Sequence, residues 1–190
     1  ELAALIVDIA DALKTMDSSG ARHKGFQAGL GPFGEAQAVN AALAELRRRS
    51  PQSYASAVVK RLPDLYIPEH WALEFKVVRP FGDNGKLAEH WSENLLHPYE
   101  GNTSSLGDCL KLLNSGLREQ KAVVILGFEH DPALVSLDAA LAAFELLAAN
   151  VVKVRLGPRI EEVRTDLVHP VHQVLRVIAY EVLALGSGAN

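Results

Sequence analysis

The run Lys121–Phe128, KAVVILGF, constrains the fold more than any other stretch of the chain. After Lys121 it carries no polar side chain, and it is shorter than a typical helix. A continuous apolar run of this kind reads as a strand buried on both faces, which is the mark of a central strand in an α/β sheet. Its neighbours must therefore provide further strands beside it and helices above and below it.

The flanking segments supply both. ELAALIVDIADALKTM places Leu2, Leu5, Ile6, Ile9 and Leu13 on one stripe and predicts an amphipathic helix. A glycine-rich loop, DSSGARHKGFQAGLGPFG, leads to a second helix from about Gly34 through EAQAVNAALAELRRR, stopped by Ser50-Pro51. Tyr54–Arg61 reads equally as a strand or a short helix. Two extended pieces, DLYI and ALEFKVV, flank the turn IPEH, and Pro80 and Gly82 close the second. Residues 82–102 read as a long polar loop with one short helix. Long loops beside a site often hold substrate. Ser104 or Ser105 caps a helix through Leu117, with Leu106, Leu110, Leu113 and Leu117 facing inward. Ser136 opens the helix SLDAALAAFELLAAN, and VVKVRL reads as a strand. Pro170 then begins a last expected helix, with Val171, Val174, Leu175, Ile178, Val182 and Leu185 on one face and Gly186 at its end.

The 190 residues suit one domain, 1–190, with a sizeable core. A net charge of −4 argues against a wholly basic nucleic-acid coat, though a local patch could still contact phosphates. The single cysteine, Cys109, excludes an intrachain disulfide and suits a reducing cytoplasm, where the protein is expected. It lies in an apolar helical pattern and reads as buried filler. No apolar run reaches the roughly twenty residues needed to cross a bilayer. The opening segment carries Asp8 and Asp11 without a basic start and does not read as a signal peptide.

The chemistry concentrates in RLPDLYIPEHWALEFKVVRP, where Pro63-Asp64 is followed after nine intervening residues by Glu74-Phe75-Lys76. Side chains alternate faces along a strand, so Glu74 and Lys76 point one way and Phe75 the other. Asp64, at the start of the neighbouring extended piece, can place its carboxylate beside Glu74. Two carboxylates and an ammonium around one point suit a hard divalent cation with a water beside it.

Pro63, Asp64, Glu74 and Lys76 resemble the signature of the PD-(D/E)XK nuclease superfamily, which includes many restriction and DNA-repair endonucleases. The resemblance implies a restriction-endonuclease-like α/β fold. Its αβββαβ core would span about 34–129, with a mixed central sheet flanked by helices, and further helices would be added at the N- and C-termini. It implies Mg²⁺, replaceable by Mn²⁺, held by Asp64, Glu74 and the backbone carbonyl of Phe75. Lys76 would orient the attacking water or help to deprotonate it. Glu35, in the first turn of the helix before the strands, matches a glutamate that many members supply; it serves equally as a partner of the helix dipole. The implied partner is nucleic acid, expected as duplex DNA, and such enzymes often dimerise to cut both strands. Arg79 and Lys86, after the catalytic strand, and Lys111, on the following helix, are the expected substrate contacts.

Other features read more plainly. Asp108 and Lys111 are three apart, as a surface ion pair would be. Arg47, Arg48 and Arg49 suit the C-terminal end of a helix, and Glu129 at a strand end is a weaker site candidate. Gly29–Gly34 spells GxGxxG, but no convincing strand precedes it. His169 and His172 lie at the expected start of the last helix and read as surface or capping residues. Trp71 and Trp91 are expected in the core. Two other readings stay open: a catalytically silent nuclease-like binding or assembly module, and a metal-dependent hydrolase of small phosphate esters.

Overall fold

Seven strands join in one sheet in the computed structural model, which describes residues 1–98 and 103–184. In chain order the elements are α1 (Leu2–Ser18), α2 (Glu35–Arg49), the short α3 (Pro51–Tyr54), β1 (Val58–Val59), β2 (Leu65–Ile67) and β3 (Trp71–Val78). The short α4 (Glu93–Leu96), α5 (Ser105–Asn114), β4 (Gln120–Glu129) and α6 (Asp138–Leu147) follow. A π turn over Ala148–Val152 leads to β5 (Arg155–Leu156), β6 (Ile160–Arg164) and β7 (Val174–Leu183). The sheet order is β1-β2-β3-β4-β7-β5, with β6 also on β7. β3 and β4 run parallel and every other pairing is antiparallel.

The expected central strand is β4, buried from Ala122 to Glu129 and paired with β3 on one side and β7 on the other. Helices cover both of its faces. Val124 and Leu126 pack with Leu73, Phe75 and Val77 under the buried stripe of α1 and under Val39, Leu43 and Leu46 of α2. Val123 and Ile125 pack with Ala72 and Val78 under Leu106, Cys109 and Leu112 of α5 and Leu141 and Phe144 of α6. From α2 to β4 the order is helix, three strands, helix, strand, with α3 and α4 as short insertions.

The C-terminal segment corrects the expectation of a helix. Val174–Leu183 is a strand, paired with β4 over eight residues and with β5 and β6 on its other side. VLRVIAYEVL is apolar at most positions, so its residues satisfy a helical stripe and a doubly covered strand alike. Burial of β7 between β4 and β6 decides for the strand, which suits its branched Val174, Val177, Ile178 and Val182. Leu185 and Gly186 lie outside the described residues.

Smaller boundaries also differ. Ser104 caps α5 by accepting from the Gly107 N–H at 3.1 Å, but the helix ends at Asn114, before Gly116 at φ +70°. Cys109 and Leu112 are its deepest residues together with Leu106, while Leu110, Leu113 and Leu117 are half-buried. Of VVKVRL only Arg155–Leu156 is strand. Among the described residues no helix is long and apolar enough to cross a membrane.

Candidate functional site

β2 is three residues long and pairs with β3 only over Trp71–Leu73. Beyond Leu73 that edge of β3 is open, and its backbone donors need other partners. Two carboxylates provide them. Asp64, immediately before β2, accepts the Phe75 N–H through Oδ2 at 2.8 Å. Glu35, the first residue of α2, accepts the Val77 N–H through Oε1 at 3.3 Å. Its place at a helix N-terminus is also favourable for an anion.

On the face toward α5, β3 presents Ala72, Glu74, Lys76 and Val78. The outer two belong to the apolar core. The inner two are ionisable and buried, with 6% and 7% of their surface exposed. The Lys76 ammonium lies 3.2 Å from Glu35 Oε2 and 3.4 Å from Asp108 Oδ2. Asp108, on α5 and 2% exposed, holds Lys111 at 2.7 Å through its other oxygen. The Asp64 carboxyl group lies close enough to that of Glu74 for the two to perturb each other. A cleft of about 490 Å³, bordered by Arg61, Leu62, Glu74 and Lys111, opens from Glu74 to the surface.

Glu35, Asp64, Glu74 and Asp108 thus face the two ammonium groups of Lys76 and Lys111. Burial, with Asp64 and Asp108 adding like charge, pushes the Glu74 carboxyl up to about 8. Burial also raises Asp64, partly offset by the Phe75 N–H. Burial pulls Lys76 down, but the carboxylates of Asp108 and Glu35 outweigh it and hold it above the ordinary lysine value. The cluster therefore carries more carboxyl groups than its ammonium groups can neutralise, and Glu74 retains a proton near neutral pH.

This arrangement fits a hard divalent cation. Glu74 Oε1 is buried and accepts no hydrogen bond from the protein, an expensive condition for a carboxyl oxygen. A cation between Asp64 and Glu74 would replace the proton that Glu74 retains and relieve the repulsion between the two groups. The Phe75 carbonyl lies on the same strand edge as its N–H. Among the described residues no three His, Cys, Asp or Glu side chains converge as a ready-made metal site, so a cation here would rest on two carboxylates, this carbonyl and water.

The remaining candidates fall elsewhere. Arg79 is half-buried, donates to the Gly31 carbonyl at 2.6 Å, and has its pKa lowered by burial against the pull of Glu35. It lines a second cleft of about 430 Å³ with Phe81, Glu89, His90 and Trp91, so the described part of the long loop borders this cleft, and residues 99–102 of it lie outside the described residues. Lys86 is exposed on the turn closed by the Phe81–Leu87 bridge. Arg47 ties α2 to the carbonyls of Tyr54 and Ala57, and Arg48 and Arg49 pair with Glu45. Glu129 is committed to Arg176 and to the Leu137 N–H.

The histidine pair corrects the surface reading. His169 is fully buried and bonded to Asp83 at 2.8 Å, and buried His172 is bonded to the Phe81 carbonyl at 2.9 Å. The Gly29–Gly34 loop packs against them: a Cβ on Gly31 would lie 2.1 Å from His172 Nδ1. Trp71 is buried as expected, while Trp91 is half-buried. Burial raises the Cys109 thiol and makes it inert. Asp108 is the member of the cluster that its spacing disguised. The i, i+3 relation to Lys111 is that of a surface pair, and only the packing of α5 on β3 shows the carboxylate to be buried.

No protein-family model matches this chain, and neither a curated protein nor a solved structure matches it.

Proposed function

We propose that this protein hydrolyses phosphodiesters with a bound divalent cation, as a DNA endonuclease of the PD-(D/E)XK type. One observation carries the reading: Asp64, Glu74, Lys76 and Glu35, drawn from three separate segments, meet on β3, and Glu74 is buried with an unpartnered oxygen beside half-buried Asp64. The helix, three strands, helix, strand order from α2 to β4 is that of the restriction-endonuclease-like core and supports it.

Asp64, Glu74 and the Phe75 carbonyl would hold Mg²⁺, with Mn²⁺ as substitute. When bound, such an ion activates water and neutralises charge on the leaving oxygen. Lys76 remains an ammonium between Asp108 and Glu35, so it donates to the attacking water or to a phosphoryl oxygen and does not serve as the proton acceptor. Glu35 steadies Lys76 through one oxygen and the end of β3 through the other. Duplex DNA is the proposed substrate, and a second copy would be needed to cut both strands at once.

A second reading has its own support. Lys76 is engaged by two carboxylates at once. A scaffold that kept these charges only to hold its elements together, without turnover, would engage Lys76 in the same way, and would make the protein a silent binding or assembly module.

Mn²⁺ binding followed by electron paramagnetic resonance, together with end-labelling of mixed-sequence DNA, tests the choice. Saturable binding and new DNA ends, both lost in Asp64→Ala, are expected for the nuclease. Equal, weak binding by both proteins moves the assignment to the silent module.

A further inference from the structure

Helix α5 brings two residues to the carboxylate pair, and they differ sharply in exposure. The Asp108 side chain is 2% exposed and the Lys111 side chain 41%. One Asp108 oxygen holds Lys111 at 2.7 Å; the other, 3.4 Å from the Lys76 ammonium, is buried and accepts no hydrogen bond. A buried carboxylate is costly unless its charge is matched, and here two ammonium groups share that task. Lys76 is enclosed, with 9% of its side chain exposed. Lys111 instead lines the cleft that opens at Glu74, together with Arg61. Lys111 is close enough to Glu74 to lower its pKa against the carboxylates that raise it. The same Asp108 thus holds one lysine inside the site and another at its mouth.

We infer that Lys111 and Arg61 form the station that receives a DNA backbone phosphate beside Glu74, and that Asp108 is the positioning residue that holds Lys111 there. The inference rests on the nuclease reading for the identity of the anion. Without a cation the surplus of carboxylates repels phosphate. With the pair neutralised, two cationic side chains at the cleft mouth attract it. An ammonium held in place by a buried partner loses less side-chain freedom on binding than an untethered surface lysine.

The test is the salt dependence of binding to a short labelled DNA duplex, measured by anisotropy with Ca²⁺ present to occupy the site. Lys111→Met is expected to weaken binding on the order of tenfold and to reduce the salt slope by about one, the signature of a lost phosphate contact. Arg61→Gln should act in the same direction, and Lys111→Arg should restore most of the slope. Asp108→Asn should reduce the slope in the wild-type background and change nothing further in Lys111→Met, because it acts through that lysine. An unchanged slope in Lys111→Met overturns the inference, as does a wild type with no duplex binding. Additive losses in the double variant remove Asp108 from the positioning role. Mn²⁺ binding by the same variants separates the two readings. The wild type failing to bind Mn²⁺ sinks the nuclease assignment, whereas intact Mn²⁺ binding with an unchanged salt slope sinks only the phosphate station.

Discussion

Asp64 accepts the Phe75 N–H at 2.8 Å across the open edge of β3, while its negative charge also helps to raise the Glu74 carboxyl beside it. One carboxylate thus performs a structural and a chemical task, and substitution can separate them. Asp64→Asn keeps an acceptor for Phe75 and should leave urea stability within about 1 kcal/mol of wild type. Asp64→Ala orphans that N–H and should cost about 1–3 kcal/mol. Both should lose Mn²⁺ binding. Retention of Mn²⁺ affinity by Asp64→Asn would remove Asp64 as a ligand.

The pH response follows from Glu74. Its carboxyl group, ordinarily near 4.5, is pushed up to about 8, first by burial and then by Asp64 and Asp108. Between those values the folded protein binds more protons than the unfolded chain, so stability falls as pH rises through the window and levels off above it. Asp64 is raised too and adds to the same trend. Urea unfolding of the cation-free protein should therefore show lower stability at pH 8 than at pH 5, by up to about 3 kcal/mol from Glu74. Glu74→Gln should flatten that slope. Mn²⁺ affinity should rise over the same range, because the cation competes with the proton.

A second charged network holds the far end of the sheet. Arg176 on β7 reaches Glu161 at 2.6 Å, Asp138 at 2.7 Å and Glu129 at 3.2 Å. Glu129 is nearly buried and also accepts the Leu137 N–H at 2.7 Å. Arg176→Met leaves this carboxylate without its cation, and a loss of roughly 3–5 kcal/mol in urea unfolding is expected. A loss below 1 kcal/mol would show that solvent readily compensates the Glu129 charge.

Asp17 is fully buried at the end of α1 and accepts two backbone donors, Leu30 N–H and Val168 N–H, each at 2.8 Å. It ties the glycine loop and the turn before β7 to the first helix. Asp17→Ala orphans both donors and should cost about 2–4 kcal/mol. Asp17→Asn retains one acceptor and should cost less. Amide exchange at Leu30 and Val168 should rise in both variants, in the same order.

Much of the framework was legible along the chain, and the reasons are local. KAVVILGF could be read as a doubly buried strand because both faces of β4 are apolar, and ELAALIVDIADALKTM as a helix because α1 has one wet face. β7 satisfies a helical stripe equally well, because a strand covered on both sides leaves no polar alternation to mark its period. Glu74 and Lys76 could be placed on one face by strand geometry alone. Their burial could not, since it depends on α5 lying across them. His169 and Asp83 likewise meet across eighty-six residues, a contact that no local pattern encodes.

The order of residues by itself determined which side chains share a face of β3, which segments must be covered, and that an aspartate precedes the strand pair. Those properties follow from backbone periodicity and from the aversion of apolar surface to water. Only the tertiary structure decided that β2 stops short of Phe75, that Asp64 and Glu35 serve the open edge, and that Asp108 is buried over Lys76. Each of these depends on where one element ends against another. Burial then raises the Glu74 and Asp64 carboxyl groups together, because removing water penalises their charged forms and strengthens the repulsion between them.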